Sequence, residues 1–247
     1  MRSLKHFQRF LSIVPLPGIQ EDLIRAVHKA NPRTIVVLIN GSPVAINWTQ
    51  LNIPAILEAW YPGQTGGTAI ADVLFGDYNP GGKLPLTFYS SVGQLPGFDD
   101  YDVIGGGRTY MYFGGQPLYP FGHGLSYTEF SYTNLQIDPN KISTNGQVSV
   151  SVDVQNAGSR EGDEVVQLYA HDVAASVRRP IKELKRFKRI YMQPGQTKTV
   201  TFTLAAQELA FYDVITRSFV VEPGTFELMV GSSSEDIRLT GILIVQP

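Results

Sequence analysis

The sequence predicts an α/β fold in its first half and an all-β antiparallel sandwich in its second, with the change falling between Phe130 and Pro139. Three observations carry this. In the first half, a helical apolar pattern gives way to short unbroken apolar runs, as in strands covered on both faces of a parallel sheet. In the second half the hydrophobic period becomes two, with Val148, Val150, Val152 and Val154 alternating with Ser149, Ser151, Asp153 and Gln155. Within the first half lies a glycine-punctuated stretch, Trp60-Tyr61-Pro62-Gly63-Gln64-Thr65-Gly66-Gly67-Thr68, which runs on to Gly76-Asp77-Tyr78-Asn79-Pro80-Gly81-Gly82-Lys83-Leu84-Pro85. It reads as one αβ step: a strand end, a Pro/Gly turn, a short apolar helix stopping at Gly76, and a second turn feeding an extended segment.

Taken in order, Pro17-Gly18-Ile19 opens a helix whose apolar positions Ile19, Leu23, Ile24, Val27 and Ala30 share one face, and Asn31-Pro32 ends it. Ile35 to Ile39 is expected to be a strand buried on both faces, and Ala55 to Trp60 the next strand. The helix Ala69 to Phe75 is expected to turn Ile70, Val73 and Leu74 inward. Leu84 to Phe88 is a further strand candidate, confined by Pro85 to an edge or a strand end. With so few strands this half reads as a sheet without its beginning. The sandwich strands are marked by Val148–Val154, by Val200, Phe202 and Leu204, and by Phe226, Leu228 and Val230. Asn156-Ala157-Gly158, Pro194-Gly195 and Pro223-Gly224 are turn signals around these strands. The expected division is 1–14 as a leader, 15–130 as the α/β part and 131–247 as the β part.

At 247 residues and 43% hydrophobic the chain can bury two cores, and its net charge of −2 creates no bulk field for nucleic acid or membrane. It has no cysteine, which excludes disulfides, thiolate catalysis and cysteine metal sites. No apolar run is long enough to span a bilayer. Met1 to Val14 is basic and then apolar, but its apolar core is short and no clear cleavage site follows, so the compartment stays open.

No G-x-S-x-G nucleophile elbow is present; Ser42 in Asn40-Gly41-Ser42-Pro43 reads as a turn serine. His6, His28, His123 and His171 are scattered without a ligand set, and no metal or other cofactor is implied. Gly63, Gly66 and Gly67 precede a helix but lack the Lys-Ser/Thr of a phosphate loop, so they read as packing glycines. Asp99, Asp100 and Asp102 around Tyr101 could meet a sugar hydroxyl or a cation, and read more simply as solvated carboxylates. The basic run Arg178 to Arg189 reads as a strand with Ile181, Leu184 and Phe187 inward and a wet basic face outward, in preference to a nucleic-acid patch. Aromatic residues at Trp60-Tyr61, Tyr110, Tyr112-Phe113 and Tyr119 to Tyr127 suit a carbohydrate surface, where sugar CH faces stack on rings, and equally suit an aromatic seam between domains.

Pro54 to Gln64, Ala69 to Gly82 and Pro117-Leu118-Tyr119-Pro120-Phe121-Gly122-His123-Gly124-Leu125-Ser126-Tyr127-Thr128 together resemble glycoside hydrolase family 3. Gly107-Arg108-Thr109-Tyr110-Met111-Tyr112-Phe113 is most similar to its β-xylosidase and β-glucosidase branches. Gly162 to Tyr169 and Glu183 to Phe187 resemble that family's fibronectin type III-like C-terminal domain. The resemblance covers nearly everything after about Pro15 and implies a partial α/β sandwich domain followed by the fibronectin-like sandwich. In the family the nucleophilic aspartate lies on an N-terminal barrel and, in many members, the acid/base glutamate lies upstream of the segment matching Leu16 to Gln20. Met1 to Val14 stands there with no acidic residue, so neither catalytic group carries over and no catalytic residue is assigned. Glu58 lies inside a matching motif without an assigned role. The resemblance therefore implies hydrolysis of β-glycosidic bonds in plant-polysaccharide oligosaccharides for the lineage, and inactivity for this polypeptide alone. Substrate-binding candidates are Trp60, Tyr61, Arg108 and Tyr110. Expected partners are carbohydrate and either the missing barrel or a second copy through the incomplete sheet, with no nucleic acid and no membrane. The alternatives are a non-catalytic carbohydrate-binding module and a protein-interaction module.

Overall fold

The computed structural model describes residues 15–247; the leader reading of Met1 to Val14, and His6 with it, lie outside the described residues. The chain forms two compact units. The first comprises residues up to 78 together with 85–109 and 113–120, and the second comprises 79–84, 110–112 and 121–247.

In the first unit, helix α1 (Gln20–Ala30) places Glu21 and Asp22 in its first turn and His28 and Lys29 in its last, each sign favoured by the helix dipole. Arg25 Nε reaches back to Glu21 at 3.0 Å. Strand β1 (Ile35–Leu38) pairs in parallel with β2 (Ala55–Glu58), from Ile35 opposite Ala55 to Leu38 opposite Glu58, and helix α2 (Asn47–Asn52) lies between them in sequence. Val36, Leu38, Val44, Ile46 and Ile53 form the core, with Ile24, Trp48, Ile56, Leu118 and Tyr119 packed on it.

Two expectations for the extended segments of this unit are corrected. The apolar run of β1 is buried on one face only, because Ile35 and Ile39 are exposed while Val36 and Leu38 are buried. The apolar face of α1 is present as read and is largely wet. Ile19, Leu23 and Val27 are exposed and only Ile24 joins the core, since among the described residues β1 pairs with β2 alone and offers too little sheet to cover. Leu84 to Phe88 forms no strand: the chain bends at Pro85 and Leu86 and makes an isolated bridge at Phe88–Tyr119, in keeping with the missing N–H of Pro85.

Helix α3 (Gly66–Phe75) begins three residues before the expected start and stops as expected at Gly76, which takes φ +83°. Ile70 and Val73 are half-buried, whereas Leu74 is exposed. A Cβ on Gly66 would lie 2.5 Å from Pro62 Cγ, so this glycine lets the helix start close against the preceding turn.

The second unit is a sandwich of two sheets. One has the order β4-β12-β11-β6-β7 and the other β3-β5-β8, where β3 is Phe130–Asp138, β4 Lys141–Ser143, β5 Gln147–Asn156, β6 Gly162–Asp172, β7 Glu183–Met192, β8 Thr197–Ala205, β11 Gly224–Gly231 and β12 Ile237–Gln246. A hairpin of β9 (Phe211–Asp213) and β10 (Ser218–Val220) is separate from both. The alternating valines of β5 lie fully inside, beside Val200, Phe202 and Leu204 of β8 on the same sheet and in one cluster with Phe226, Leu228 and Val230 of β11. Each such side chain stabilises the unit by roughly 1.5–3 kcal/mol relative to exposure.

Strand β6 is covered on both faces. Val166, Leu168 and Ala170 enter the core, while Gln167 and Tyr169 on the opposite face are also buried. Gln167 Nε2 donates to the Gly122 carbonyl at 3.3 Å and Tyr169 Oη donates to Gln167 Oε1 at 2.5 Å. The inward set read for the basic run is also corrected. Leu184 is half-buried as read, but Ile181 and Phe187 are exposed, Phe187 by 66% and opposite Gln167 on the face away from the core, and the buried positions of β7 are Ile190 and Met192. Much of the run's charge is paired: Lys182 with Glu235 at 3.2 Å, Lys185 with Glu183 at 2.7 Å and Arg189 with Asp163 at 2.7 Å.

The second turn of the glycine-punctuated stretch belongs to this β unit. Asn79 Nδ2 donates to the Glu161 carbonyl at 2.8 Å, and Asn79 Oδ1 accepts from Ser126 Oγ at 2.9 Å and the Tyr127 N–H at 2.8 Å. Lys83 Nζ lies 3.7 Å from Glu164 Oε2 and donates to the Gly124 carbonyl at 3.1 Å, and Tyr132 Oη donates to Glu164 Oε1 at 2.8 Å.

Candidate functional site

Two clusters in the first unit contain three of the four sequence-derived candidates, Trp60, Tyr61 and Arg108. The first lies at the carboxyl ends of the parallel strands β1 and β2, the edge of an open α/β sheet where ligands are usually bound. Trp60 follows β2 and takes φ +50°, a left-handed conformation that costs a bulky residue on the order of 1–2 kcal/mol. Glu58 compensates locally: its Oε1 accepts the Trp60 N–H at 3.1 Å, and its Oε2 accepts from Asn40 Nδ2 at 3.3 Å. Asn40 Nδ2 also donates to the Ser42 carbonyl at 2.8 Å, which ties the β1 turn to the β2 turn. Burial raises the Glu58 pKa above the usual carboxylate value, while the bonds from Trp60 and Asn40 hold it down.

The Trp60 ring meets Phe88 edge-on at 6.1 Å, and Phe88 meets Tyr119 edge-on at 5.9 Å, giving the tryptophan a fixed floor. Tyr61 is 76% exposed and lies beside Gly41, where a Cβ would be 2.6 Å from its Cε2. The cluster thus displays a tyrosine ring next to a backbone turn, with Asn40 Oδ1 buried and unpaired.

The second cluster is the loop from Gly97 to Arg108. Its main chain is braced internally by Asp100 N–H to Gly97 O at 3.1 Å, Gly106 N–H to Asp102 O at 2.8 Å and Arg108 N–H to Val103 O at 3.0 Å. Asp100 and Asp102 carboxylates cap the N–H groups of Asp102 and Gly105 at 2.9 and 2.8 Å. Arg108 Nη2 clasps the loop by donating to the Gly97 carbonyl at 3.1 Å and to the Asp100 carbonyl, while its Nε is buried without a partner. Thr109 follows at φ +62° and donates its N–H to Tyr89 Oη at 3.1 Å. Phe98, Asp100, Tyr101, Val103 and Arg108 line a cavity of about 250 Å³.

Tyr110 belongs to the second unit, where it is a packing residue. Its ring stacks on Phe121 at 4.3 Å and meets Tyr169 edge-on, its hydroxyl accepts the Leu184 N–H at 3.0 Å, and burial raises its pKa. Trp60 and Tyr61 therefore share one turn, Arg108 belongs to a separate loop, and Tyr110 lies in the β sandwich. Sequence reasoning missed Asn40 and Phe98, and left Glu58 without a role. The position of Asn40 directly after a parallel strand was the available signal for it. Among the described residues, no group of three His, Asp or Glu side chains could hold a metal ion, and no helix is long and apolar enough to cross a membrane.

An α/β unit followed by a fibronectin-like sandwich defines the C-terminal architecture of a class of glycoside hydrolases, and the comparisons identify which. Residues 12–127 match the glycosyl hydrolase family 3 C-terminal domain and residues 164–234 the fibronectin type III-like domain. The chain belongs to glycoside hydrolase family 3 and corresponds to its C-terminal region. It is similar to a β-xylosidase of Formosa agariphila, 48% identical over 93% of this chain and 32% of that protein. It is also similar to thermostable β-glucosidase B of Acetivibrio thermocellus, 44% identical over 91% of this chain and 31% of that protein. Among solved structures, the β-D-glucoside glucohydrolase of Trichoderma reesei superposes with a TM-score of 0.86 at 31% identity, covering 94% of this chain and 36% of that one. The β-glucosidase of Listeria innocua in complex with glucose superposes at 0.83 with 33% identity, covering 95% and 34%. The chain thus spans about a third of the length of these relatives.

Proposed function

We propose that these 247 residues serve as the non-catalytic C-terminal region of a β-glucosidase- or β-xylosidase-type hydrolase acting on β-linked plant oligosaccharides. In this reading they supply part of a sugar-cleft wall, through Trp60 and Tyr61, and a stabilising β domain. By themselves they do not cleave β-glycosides. The observation that carries the reading is coverage: relatives named for β-xylosidase and β-glucosidase activity match over nine-tenths of the chain and extend to about three times its length. Retaining hydrolysis needs two carboxyl groups flanking the scissile bond. Glu58, whose pKa burial raises, has both oxygens engaged by Asn40 and Trp60, which suits a positioning role for the turn. The exposed stripe of Ile19, Leu23 and Val27 supports a partner on that side, either the barrel-bearing part of the enzyme or a second copy, and the mass of the chain in solution separates the two.

The test is hydrolysis of aryl β-D-xyloside and aryl β-D-glucoside by the purified chain. Turnover at buffer background is expected. Turnover that disappears on Glu58→Gln, or on replacement of another carboxylate of the chain, contradicts the reading.

A further inference from the structure

We infer that the loop from Gly97 to Arg108 is a binding site for a single neutral pyranose ring, formed by Phe98 and Tyr101 over a floor of Asp100 and Arg108. The loop holds its own shape through main-chain and carboxylate hydrogen bonds, so its rings are not needed to fold it. Those rings are nevertheless turned outward: Phe98 is 65% and Tyr101 84% exposed, and both line the cavity. Aromatic side chains left wet around a concavity with a polar floor match what a sugar requires, since apolar CH faces stack on rings while hydroxyls seek charged donors and acceptors. Arg108, its guanidinium held in place by the Gly97 and Asp100 carbonyls, and the Asp100 side chain supply the polar part of the lining.

Charge and size narrow the ligand further. Asp99, Asp100 and Asp102 outnumber Arg108 on the same loop, which disfavours phosphate or a carboxylate. The guanidinium on the floor and the absence of a three-ligand group among the described residues disfavour a metal ion. The concavity, about 250 Å³, is smaller than the roughly 300–1,000 Å³ of ordinary small-molecule sites, which leaves room for one ring and none for an extended chain. The inference rests on the proposed function only for which sugars to try.

The test titrates the isotopically labelled 247-residue chain with methyl β-D-glucopyranoside, methyl β-D-xylopyranoside and, separately, inorganic phosphate, following backbone amides by NMR. Saturable shifts confined to residues 97–108 are expected with at least one of the two sugars, with a dissociation constant on the order of 1–10 mM. Tyr101→Ala, at an exposed position that leaves the fold intact, is expected to weaken binding about 5-fold, and Tyr101→Phe to preserve it. Three results overturn the inference: no saturable shift with either sugar, equal binding by wild type and Tyr101→Ala, or loop shifts with phosphate in place of sugar. Loss of this site leaves the family role standing, because the hydrolysis assay does not read it. Hydrolysis by the chain alone removes that role without touching the titration.

Discussion

The Trp60 backbone N–H donates to the Glu58 carboxylate two residues earlier at 3.1 Å, and this bond holds a tryptophan at φ +50°. The other carboxylate oxygen accepts from Asn40, so one side chain fixes the turns after both parallel strands. Strain of this kind persists only where its surroundings impose it, and it concentrates at functional positions.

Glu58→Ala is therefore expected to lose about 1–2 kcal/mol of stability in the first unit and to alter Trp60 fluorescence, measured by urea unfolding. Glu58→Gln keeps an acceptor for Trp60 but turns an amide donor toward Asn40 Nδ2, so its loss should be smaller but not zero. The pH dependence has a defined sign. Burial raises the folded-state pKa of Glu58, so the stability gained by its protonated form is complete below the ordinary glutamate value and is lost as pH rises through the raised one. Glu58→Gln should flatten the stability profile across that window.

Gly82 and Gly124 make a matched pair for testing close approach. A Cβ on Gly124 would sit 2.1 Å from the Gly82 carbonyl oxygen, a backbone atom that cannot swing aside, whereas a Cβ on Gly82 meets nothing within 4 Å. Gly124→Ala should destabilise the β unit by about 2 kcal/mol or more, and Gly82→Ala should stay within about 0.5 kcal/mol. Thermal unfolding of the two variants side by side reads the difference.

Lys83 and Glu164 form a buried pair, 13% and 4% exposed at the side chain, and Tyr132 donates to the same carboxylate. Burial raises the Glu164 pKa, and Lys83 opposes that rise. Lys83→Met leaves the carboxylate buried without its cation and should cost about 3 kcal/mol near neutral pH. Its Glu164 pKa should climb further, so the deficit grows as pH rises through that raised value and the unpaired carboxylate ionises. The other charged groups acting on this site are His123, Asp236 and Arg238. Burial and Lys83 lower the His123 pKa, so its own contribution is lost as pH falls and runs opposite to that of Glu164. Denaturant titrations of wild type and variant at several pH values check the trend.

The sandwich was legible because its strands are regular: Val148 to Val154 alternate without interruption, and the alternation is a direct record of which face is buried. Helix α3 and its stop at Gly76 were legible for the same local reason. The β7 inward set was not: Phe187 stands opposite Gln167, on the face away from the core that Leu168 enters, and the residue pattern of this basic run does not show which face of the strand is covered. The apolar stripe of α1 was legible, but periodicity shows that a face is apolar without showing what covers it. At the candidate site, Trp60 and Tyr61 were marked by their motif, and Arg108 by its own. The role of Glu58 was hidden, since a carboxylate capping a left-handed turn depends on a backbone angle that sequence does not display.

The most direct test of the central account is a chimera in which these residues replace the matching third of the Formosa agariphila β-xylosidase, to which they are 48% identical. Assayed on an aryl β-xyloside, the chimera is expected to turn over substrate with kcat within about tenfold of the parent. A folded chimera with no turnover, or equal turnover by the 247-residue chain on its own, contradicts the assignment of these residues as a supporting, non-catalytic region of the enzyme.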